Sequence, residues 1–219
     1  NLFLTNRSFT NKVQLCVTRE QTQGKGQHGR HWESKRDSSI LFSIRRNFPQ
    51  ECNLNGLSLV VGLAIVKVLE QECLVEGFKI KWPNDIYFES KKLAGVLLES
   101  QIQSKNQSVV IGVGINYALD QSMTFEIPWT DLAKITKTLP DIKLLTAEII
   151  NNILVMSEHF SAFGFDDFQS DWKRYDMLQG KRVKCTDLKD SFEGEVLGVS
   201  SKGALKIFTK DGVKELYSS

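Results

Sequence analysis

Apolar residues recur with two different periods along this chain, and those periods predict its elements. Runs that alternate or are mostly apolar predict strands over residues 13–18, 40–45, 78–82, 86–88, 91–99 and 109–116. Helical spacing predicts a long helix over residues 54–74 and a second one, opened by Thr146, over residues 144–163. Shorter helices are predicted over residues 1–7, 130–137 and 165–177. The chain therefore combines strands and helices, and its longest early helix lies between the second and third predicted strands.

The pattern changes after Gly180 to short runs with a period of two. These runs predict four strands over residues 183–185, 192–199, 204–208 and 213–217. Short strands divided by Asp-rich or Gly-containing turns are typical of a small β-barrel. We therefore divide the chain into a main domain of residues 1–178 and a smaller domain of residues 179–219.

The composition limits the class of protein. The chain has 219 residues, of which 41% are hydrophobic, and its 28 basic and 26 acidic residues leave a net charge of only +2. A chain of this length and hydrophobic content can bury a substantial core. Its small net charge gives no general electrostatic reason to bind nucleic acid or an anionic membrane. No apolar run approaches the ~18 residues of a membrane helix. We expect a soluble, cytoplasmic protein, whose sequence is incomplete at its start because residue 1 is Asn and not Met.

The four cysteines give no sign of a metal site or a disulfide framework. They are Cys16, Cys52, Cys73 and Cys185, and none forms a C-x-x-C pair or stands near a histidine at zinc-finger spacing. Three of them have apolar neighbours. We predict free thiols in a reducing cytosol.

The glycine-rich stretch over residues 24–32 is the first candidate for chemistry. Its first six residues match the pattern G-x-G-x-x-G. Glycine backbones bring N–H groups against an anion, Lys25 and Arg30 add positive charge, and Trp32 offers a flat face to a base. A strand precedes this loop, but no helical stripe follows it, which excludes a Rossmann domain. A mobile basic surface loop is the alternative from this segment alone.

Two further segments place polar groups where strands end or begin. Pro83 ends one strand, so Asn84 and Asp85 bring an amide and a carboxylate to its end. Such a corner is either an ordinary turn or a place to hold a ribose, a metal ion or a base edge. Lys92 opens the next strand, where it is either a solvated edge charge or a cation that stabilises phosphoryl substitution.

A pair of glycines marks the last strand of the main domain. Gly112 and Gly114 are two residues apart, so they share one face of this strand. That face carries no side chains at these positions. A flat ligand can therefore lie against it.

The order of four motifs resembles that of the biotin protein ligases. The motifs are Gly24-Lys25-Gly26-x-x-Gly29-Arg30-x-Trp32, Lys81-Trp82-Pro83-Asn84-Asp85, Lys92-Leu93-Ala94-Gly95 and Gly112-Val113-Gly114-Ile115-Asn116. The resemblance covers nearly the whole chain. It implies an α+β fold, in which helices pack on a mixed β-sheet as in class II synthetases and biotin–lipoate ligases, with a C-terminal SH3-like β-barrel. It also implies ATP-dependent conversion of biotin to biotinyl-5′-adenylate and transfer of the biotinyl group to a lysine of a biotin carboxyl carrier domain of acetyl-CoA carboxylase.

The resemblance assigns roles to individual residues as well. Lys92 matches the catalytic lysine of the family. The implied biotin-binding positions are Asn1, Gln21, Gly24, Lys25, Gly26, Gln27, Lys92, Gly95 and Gly114. The implied ATP- or adenylate-binding positions are Arg30, Trp32, Lys81, Asn84, Asp85 and Asn116. Mg²⁺ is expected with ATP, with Asp85 as a candidate ligand.

The glycine loop departs from the family pattern at two positions. The family often has arginines where this chain has Lys25 and Gln27. Lysine keeps a charge without the bidentate fork of arginine, and glutamine keeps hydrogen bonding without the charge. We expect this loop to release the adenylate more readily than a double-arginine loop.

Two other functions are weighed against this one. Lipoate-protein ligases share the fold and the adenylate chemistry, but the glycine loop, the corner at residues 81–85 and the terminal barrel argue against that function. A bifunctional ligase and DNA-binding repressor would need a helix-turn-helix domain upstream, because this sequence contains none. Membranes and nucleic acid are not expected partners of this chain, whereas a homodimer through the main sheet is expected from the resemblance.

Overall fold

The computed structural model describes residues 13–29, 31–103, 106–120, 122–123, 125, 127–186 and 191–217. Asn1, the helix predicted over residues 1–7 and Arg30 lie outside these ranges. Residues 104–105, between the strands predicted over residues 91–99 and 109–116, lie outside them as well.

A six-stranded sheet forms the centre of the main domain. Its strands are β1 (Gln14–Thr18), β4 (Ser39–Pro49), β5 (Phe78–Lys81), β6 (Asp85–Phe88), β7 (Lys91–Gln103) and β8 (Asn106–Asn116). The short strands β2 (Gly24–Lys25) and β3 (His31–Trp32) pair with each other outside this sheet. The order in the six-stranded sheet is β1-β4-β8-β7-β6-β5, and every pairing of neighbours is antiparallel. Parallel pairing within the described residues is confined to isolated bridges between Ile80 and Asp176 and between Lys92 and Trp129. The predicted strands are therefore confirmed, and β4 extends beyond its prediction.

Two long helices cover one face of this sheet. They are α1 (Leu57–Cys73), which is almost entirely buried, and α3 (Ile142–Phe163), which packs on α1 and β4. The prediction that Thr146 opens α3 is wrong. Asp141 caps the helix by accepting from the backbone N–H groups of Lys143 and Leu144, while Thr146 donates to the Ile142 carbonyl inside the first turn.

The two shorter helices are shorter than their patterns predicted. They are α2 (Leu132–Ile135) and α4 (Gln169–Tyr175), and a 3-10 turn at Asp166–Phe168 precedes α4. Trp172 and Tyr175 belong to the core, with 2% and 3% of their surface exposed. No helix in the described ranges has the length and apolar character needed to cross a bilayer.

A second antiparallel sheet follows the main domain. Its strands are β9 (Arg182–Thr186), β10 (Ser191–Val199), β11 (Leu205–Thr209) and β12 (Gly212–Leu216), in the order β12-β11-β10-β9. This arrangement agrees with an SH3-like domain, except that β9 and β12 are open edges and do not close a barrel within the described residues. Its inner face joins the core of the main domain through Val196, Val199, Leu205 and Ile207.

Candidate active site

A cavity of about 880 Å³ lies on the face of the main sheet that the helices leave open. The four sequence motifs converge on it, although they are far apart in the chain. Most of the predicted site residues lie on its wall, namely Gln21, Lys25, Gly26, Gln27, Trp32, Lys81, Asn84, Asp85, Lys92, Gly95, Gly114 and Asn116. Gly24 is not on that wall, and Asn1 and Arg30 are outside the described residues.

The glycine loop is a small hairpin and does not lead into a helix. Its two short strands are β2 (Gly24–Lys25) and β3 (His31–Trp32), and a 3-10 turn lies at Gln27–Gly29. Gly24 pairs with Trp32, and a Cβ atom at Gly24 would lie 2.2 Å from the Trp32 carbonyl oxygen. Gly24 therefore allows the hairpin to close, and the rejection of a Rossmann domain is confirmed.

The indole ring of Trp32 covers the bare glycine face of the sheet. A Cβ atom at Gly114 would lie 2.6 Å from Trp32 Cε2, and one at Gly95 would lie 3.3 Å from Trp32 Cζ3. The predicted bare face is thus present, but a side chain of this chain lies against it. Trp32 forms a wall of the cavity and offers a flat ligand one face of its ring.

Lys92 and Asp85 form an ion pair at the floor of the cavity. The two residues come from the neighbouring strands β7 and β6, and Lys92 Nζ lies 2.7 Å from Asp85 Oδ1. Their side chains are only 19% and 20% exposed, so solvent screens this pair less than a surface pair. Lys92 Nζ also lies 5.9 Å from the centre of the Trp32 ring. A cation held there can stabilise negative charge that develops on a ligand.

Two asparagine amides hold the backbone around this pair. Asn84 Nδ2 donates to the Val96 carbonyl at 2.6 Å, and Val96 N donates back to the Asn84 carbonyl at 2.9 Å. Asn116 is buried, and its Nδ2 donates to the Thr130 carbonyl at 3.0 Å. The first amide fixes the corner to β7, and the second fixes the end of β8 to the chain beside Lys92.

A further wall of the cavity was not predicted from the sequence. It consists of Phe125, Ile127 and Trp129, and the rings of Phe125 and Trp129 meet edge to face at 5.3 Å. Lys92 N donates to the Pro128 carbonyl at 2.9 Å, so this wall lies directly beside the ion pair. The sequence does show three apolar residues within the five positions 125–129 of an otherwise polar segment. It does not show which surface these residues face.

The acidic groups around the cavity do not form a protein cage for a metal. No cluster of three or more His, Cys, Asp or Glu side chains suited to a metal ion occurs among the described residues. Mg²⁺ commonly binds one or two carboxylates together with substrate phosphates, and it keeps several waters. Asp85 therefore fits an ion brought in by a nucleotide.

Comparisons with known proteins agree with this geometry. The bifunctional ligase/repressor BirA of Bacillus spizizenii is 31% identical over 212 residues, which cover 94% of this chain and 64% of that protein. This chain thus spans less than two thirds of that relative's length.

Two solved structures share the fold. The biotin protein ligase from Aquifex aeolicus, in complex with biotin and ATP, has a TM-score of 0.82 and 30% identity over 99% of this chain and 90% of that chain. The biotin protein ligase from Leishmania major, in complex with biotinyl-5-AMP, has a TM-score of 0.58 and 27% identity over 94% of this chain and 89% of that chain. Residues 3–116 match the description "Biotin/lipoate A/B protein ligase family", and the chain therefore belongs to that family.

Proposed function

We propose that this chain is an ATP-dependent biotin protein ligase, which activates biotin as biotinyl-5′-AMP and transfers the biotinyl group to a lysine of a biotin carboxyl carrier domain. The observation that carries the proposal is the convergence of the glycine loop, the corner and Lys92 on one cavity. The relatives solved with biotin and ATP and with biotinyl-5-AMP support it.

In the first half-reaction a biotin carboxylate oxygen attacks the α-phosphorus of ATP. The new bond joins that oxygen to phosphorus, the bond from the α-phosphorus to the bridging oxygen breaks, and pyrophosphate leaves. Negative charge is concentrated on the oxygens around the α-phosphorus and develops on the leaving oxygen, so a cation at the position of Lys92 lowers the barrier. Asp85 holds the ammonium group in place through the 2.7 Å ion pair. Mg²⁺ bound with ATP supplies further charge neutralisation when present.

In the second half-reaction a neutral lysine amine of the carrier domain attacks the carbonyl carbon of the mixed anhydride. The amide bond forms, the bond from carbon to the phosphate oxygen breaks, and AMP leaves. Asp85 or solvent takes the proton that the amine must lose. Trp32 and Trp129 line the cavity, and their apolar surfaces exclude water that would hydrolyse the anhydride.

The other parts of the proposal concern partner, place and assembly. We propose the carrier domain of acetyl-CoA carboxylase as acceptor, the cytoplasm as location, and a homodimer formed through the main sheet. The edge strand β1 supports the dimer, since Leu15 and Val17 on one of its faces are 50% and 56% exposed. Sedimentation of the purified chain as a monomer at micromolar concentration would contradict the dimer.

Isothermal titration tests the substrate. Biotin and lipoate are each titrated into the chain, with and without a non-hydrolysable ATP analogue and Mg²⁺. We expect biotin to bind, and to bind more tightly with the analogue, because the two ligands would share one cavity. Tighter binding of lipoate than of biotin would make lipoate the substrate. If neither ligand binds, the result would contradict ligase activity in this chain.

A further inference from the structure

The turn between β10 and β11 lies directly behind the corner at residues 81–85. The indole N–H of Trp82 donates to the carbonyl oxygen of Gly203, with an N···O distance of 3.1 Å. Trp82 is only 6% exposed, and Gly203 is buried as well. A residue in a turn of the second sheet thus holds the Trp82 side chain of the corner.

Two glycines allow this close approach. Gly203 has a φ of +79°, and a Cβ atom there would lie 2.5 Å from Cα of Gly56. Gly56 has a φ of +88° and is the N-cap residue of α1. A Cβ atom at Gly56 would lie 2.9 Å from Cβ of Phe165. The backbone of the turn therefore rests on the start of α1, and neither glycine can gain a side chain without a shift of the backbone.

The corner beyond Trp82 carries polar groups of the cavity. Asn84 N donates to the Lys81 carbonyl at 3.2 Å, so the turn spans the residues on either side of Trp82 and Pro83. Asp85 follows at once and pairs with Lys92. A displacement of Trp82 would therefore move Asn84 and Asp85 together, whereas the glycine loop is attached to other strands.

We propose that Trp82 and Gly203 are positioning residues, through which the second sheet fixes the corner for the nucleotide. The inference rests on the proposed function, because it takes the nucleotide to lie against Asn84 and Asp85. Trp82 borders the cavity, but its Nε1 donates to Gly203, so neither of these two groups acts on the ligand directly. Their effect is on the position of the groups that do.

The variant Trp82→Phe tests the hydrogen bond. It keeps an aromatic ring in the core but removes the N–H donor, and it leaves the Gly203 carbonyl without this donor. We expect KM for ATP to rise about tenfold, the effect of one lost buried hydrogen bond. The dissociation constant for biotin without nucleotide should stay within about twofold of that of the unmodified chain, because the glycine loop forms a two-stranded sheet of its own and is not held by Trp82. Initial rates of biotin-dependent pyrophosphate release and titration with biotin give the two values.

Trp172→Phe is the matched control. Trp172 Nε1 also donates a buried hydrogen bond, to Asp176 Oδ2 at 3.0 Å, but it lies outside the cavity wall. This variant should lose stability without a change in KM for ATP. If both variants lose stability and neither changes KM for ATP, the inference is wrong, and the Trp82 bond is only a packing contact.

A milder variant guards against a loss of folding in Trp82→Phe. Ser200 Oγ accepts from Ala204 N at 3.2 Å, and this hydrogen bond stabilises the turn and does not involve Trp82. We expect Ser200→Ala to raise KM for ATP by a smaller factor than Trp82→Phe does. An unchanged KM for ATP in folded Ser200→Ala, or an equal loss of biotin and ATP binding in either variant, would overturn the inference. Absence of biotin and ATP binding in the unmodified chain would instead contradict the proposed function.

Discussion

At the scale of single residues, Lys92 and its neighbour Lys91 carry the same charge but differ in position. Lys91 is the adjacent residue on β7, carries the same charge and is exposed, whereas Lys92 is mostly buried and paired with Asp85. Alternate residues of a strand point to opposite faces, so only one of the two lysines can reach the cavity. The resemblance to the family implies Lys92, and the structure places Lys92, but not Lys91, on the wall of the cavity.

This difference gives a direct test of the catalytic role. We expect Lys92→Met to reduce kcat for biotin-dependent pyrophosphate release by about 10²- to 10³-fold, as for removal of one preorganised donor to a developing negative charge. Lys91→Met should leave kcat within about twofold, since exposed surface substitutions have small effects. Circular dichroism of both variants checks the fold. A similar loss in both variants would show that charge near the cavity, and not contact with the ligand, is responsible.

At the scale of elements, two segments that border the cavity are tied to each other. Lys35 follows the glycine loop, and its Nζ lies 2.7 Å from Asp120 Oδ2, beyond the end of β8. The Ser38 carbonyl accepts from both Tyr117 N and Ala118 N at 3.0 Å. The second segment continues to the wall of Phe125 and Trp129. Ligand contacts to the loop can therefore affect the position of that wall.

Reversal of the charges in this pair tests the link. Lys35→Glu and Asp120→Lys should each raise KM for biotin and ATP by about two- to fivefold, because exposed ion pairs contribute little. The double variant should recover most of the loss, since it restores opposite charges. Recovery should weaken at high salt, as expected for a screened pair. An additive loss in the double variant would exclude a direct role of the pair.

The pH dependence of this link follows from the carboxylate. Hydrogen bonds from Lys35 and then from Ser122 hold the pKa of Asp120 well below its usual range. The pKa of Asp120 is thus lower in the folded chain than in the unfolded chain. The stability that its carboxylate contributes is present above the unfolded pKa and is lost as the pH falls through the folded pKa. We expect the effect of Asp120→Lys on KM to be constant between pH 5 and 8.

Sequence patterns predicted the elements better than their contacts. The apolar stripe of α1 is continuous, so the helix was found with errors of only a few residues at its ends. The start of α3 was misplaced because the capping residue Asp141 precedes the apolar stripe, whereas Thr146 interrupts it. The wall formed by Phe125 and Trp129 could not be predicted, because its place depends on backbone pairing with Lys92.

At the scale of the whole molecule, the two sheets share one core. Val196 and Ile207 of the second sheet are 1% and 0% exposed, and they belong to the same cluster as Ile111 in the main sheet. Hydrogen bonds also cross the predicted boundary at residue 178, since Lys181 N donates to the Leu178 carbonyl and Trp82 Nε1 donates to the Gly203 carbonyl. The period-two pattern marks the change of architecture there, but no pattern in a sequence reports whether two sheets share a core.

A shared core predicts that the intact chain unfolds as one cooperative unit. Hydrogen exchange under native conditions measures this, because it reports the free energy of opening at single amides. We expect the amides of Val196, Ile207 and Ile111 to exchange with the same free energy and the same dependence on denaturant, since one global opening exposes all three. Edge amides of β1 serve as the control and should exchange through smaller, local openings. A lower free energy in β10 and β11 than in β8 would show that the second sheet opens alone, and its support of the corner through Gly203 would then be lost before the main domain unfolds.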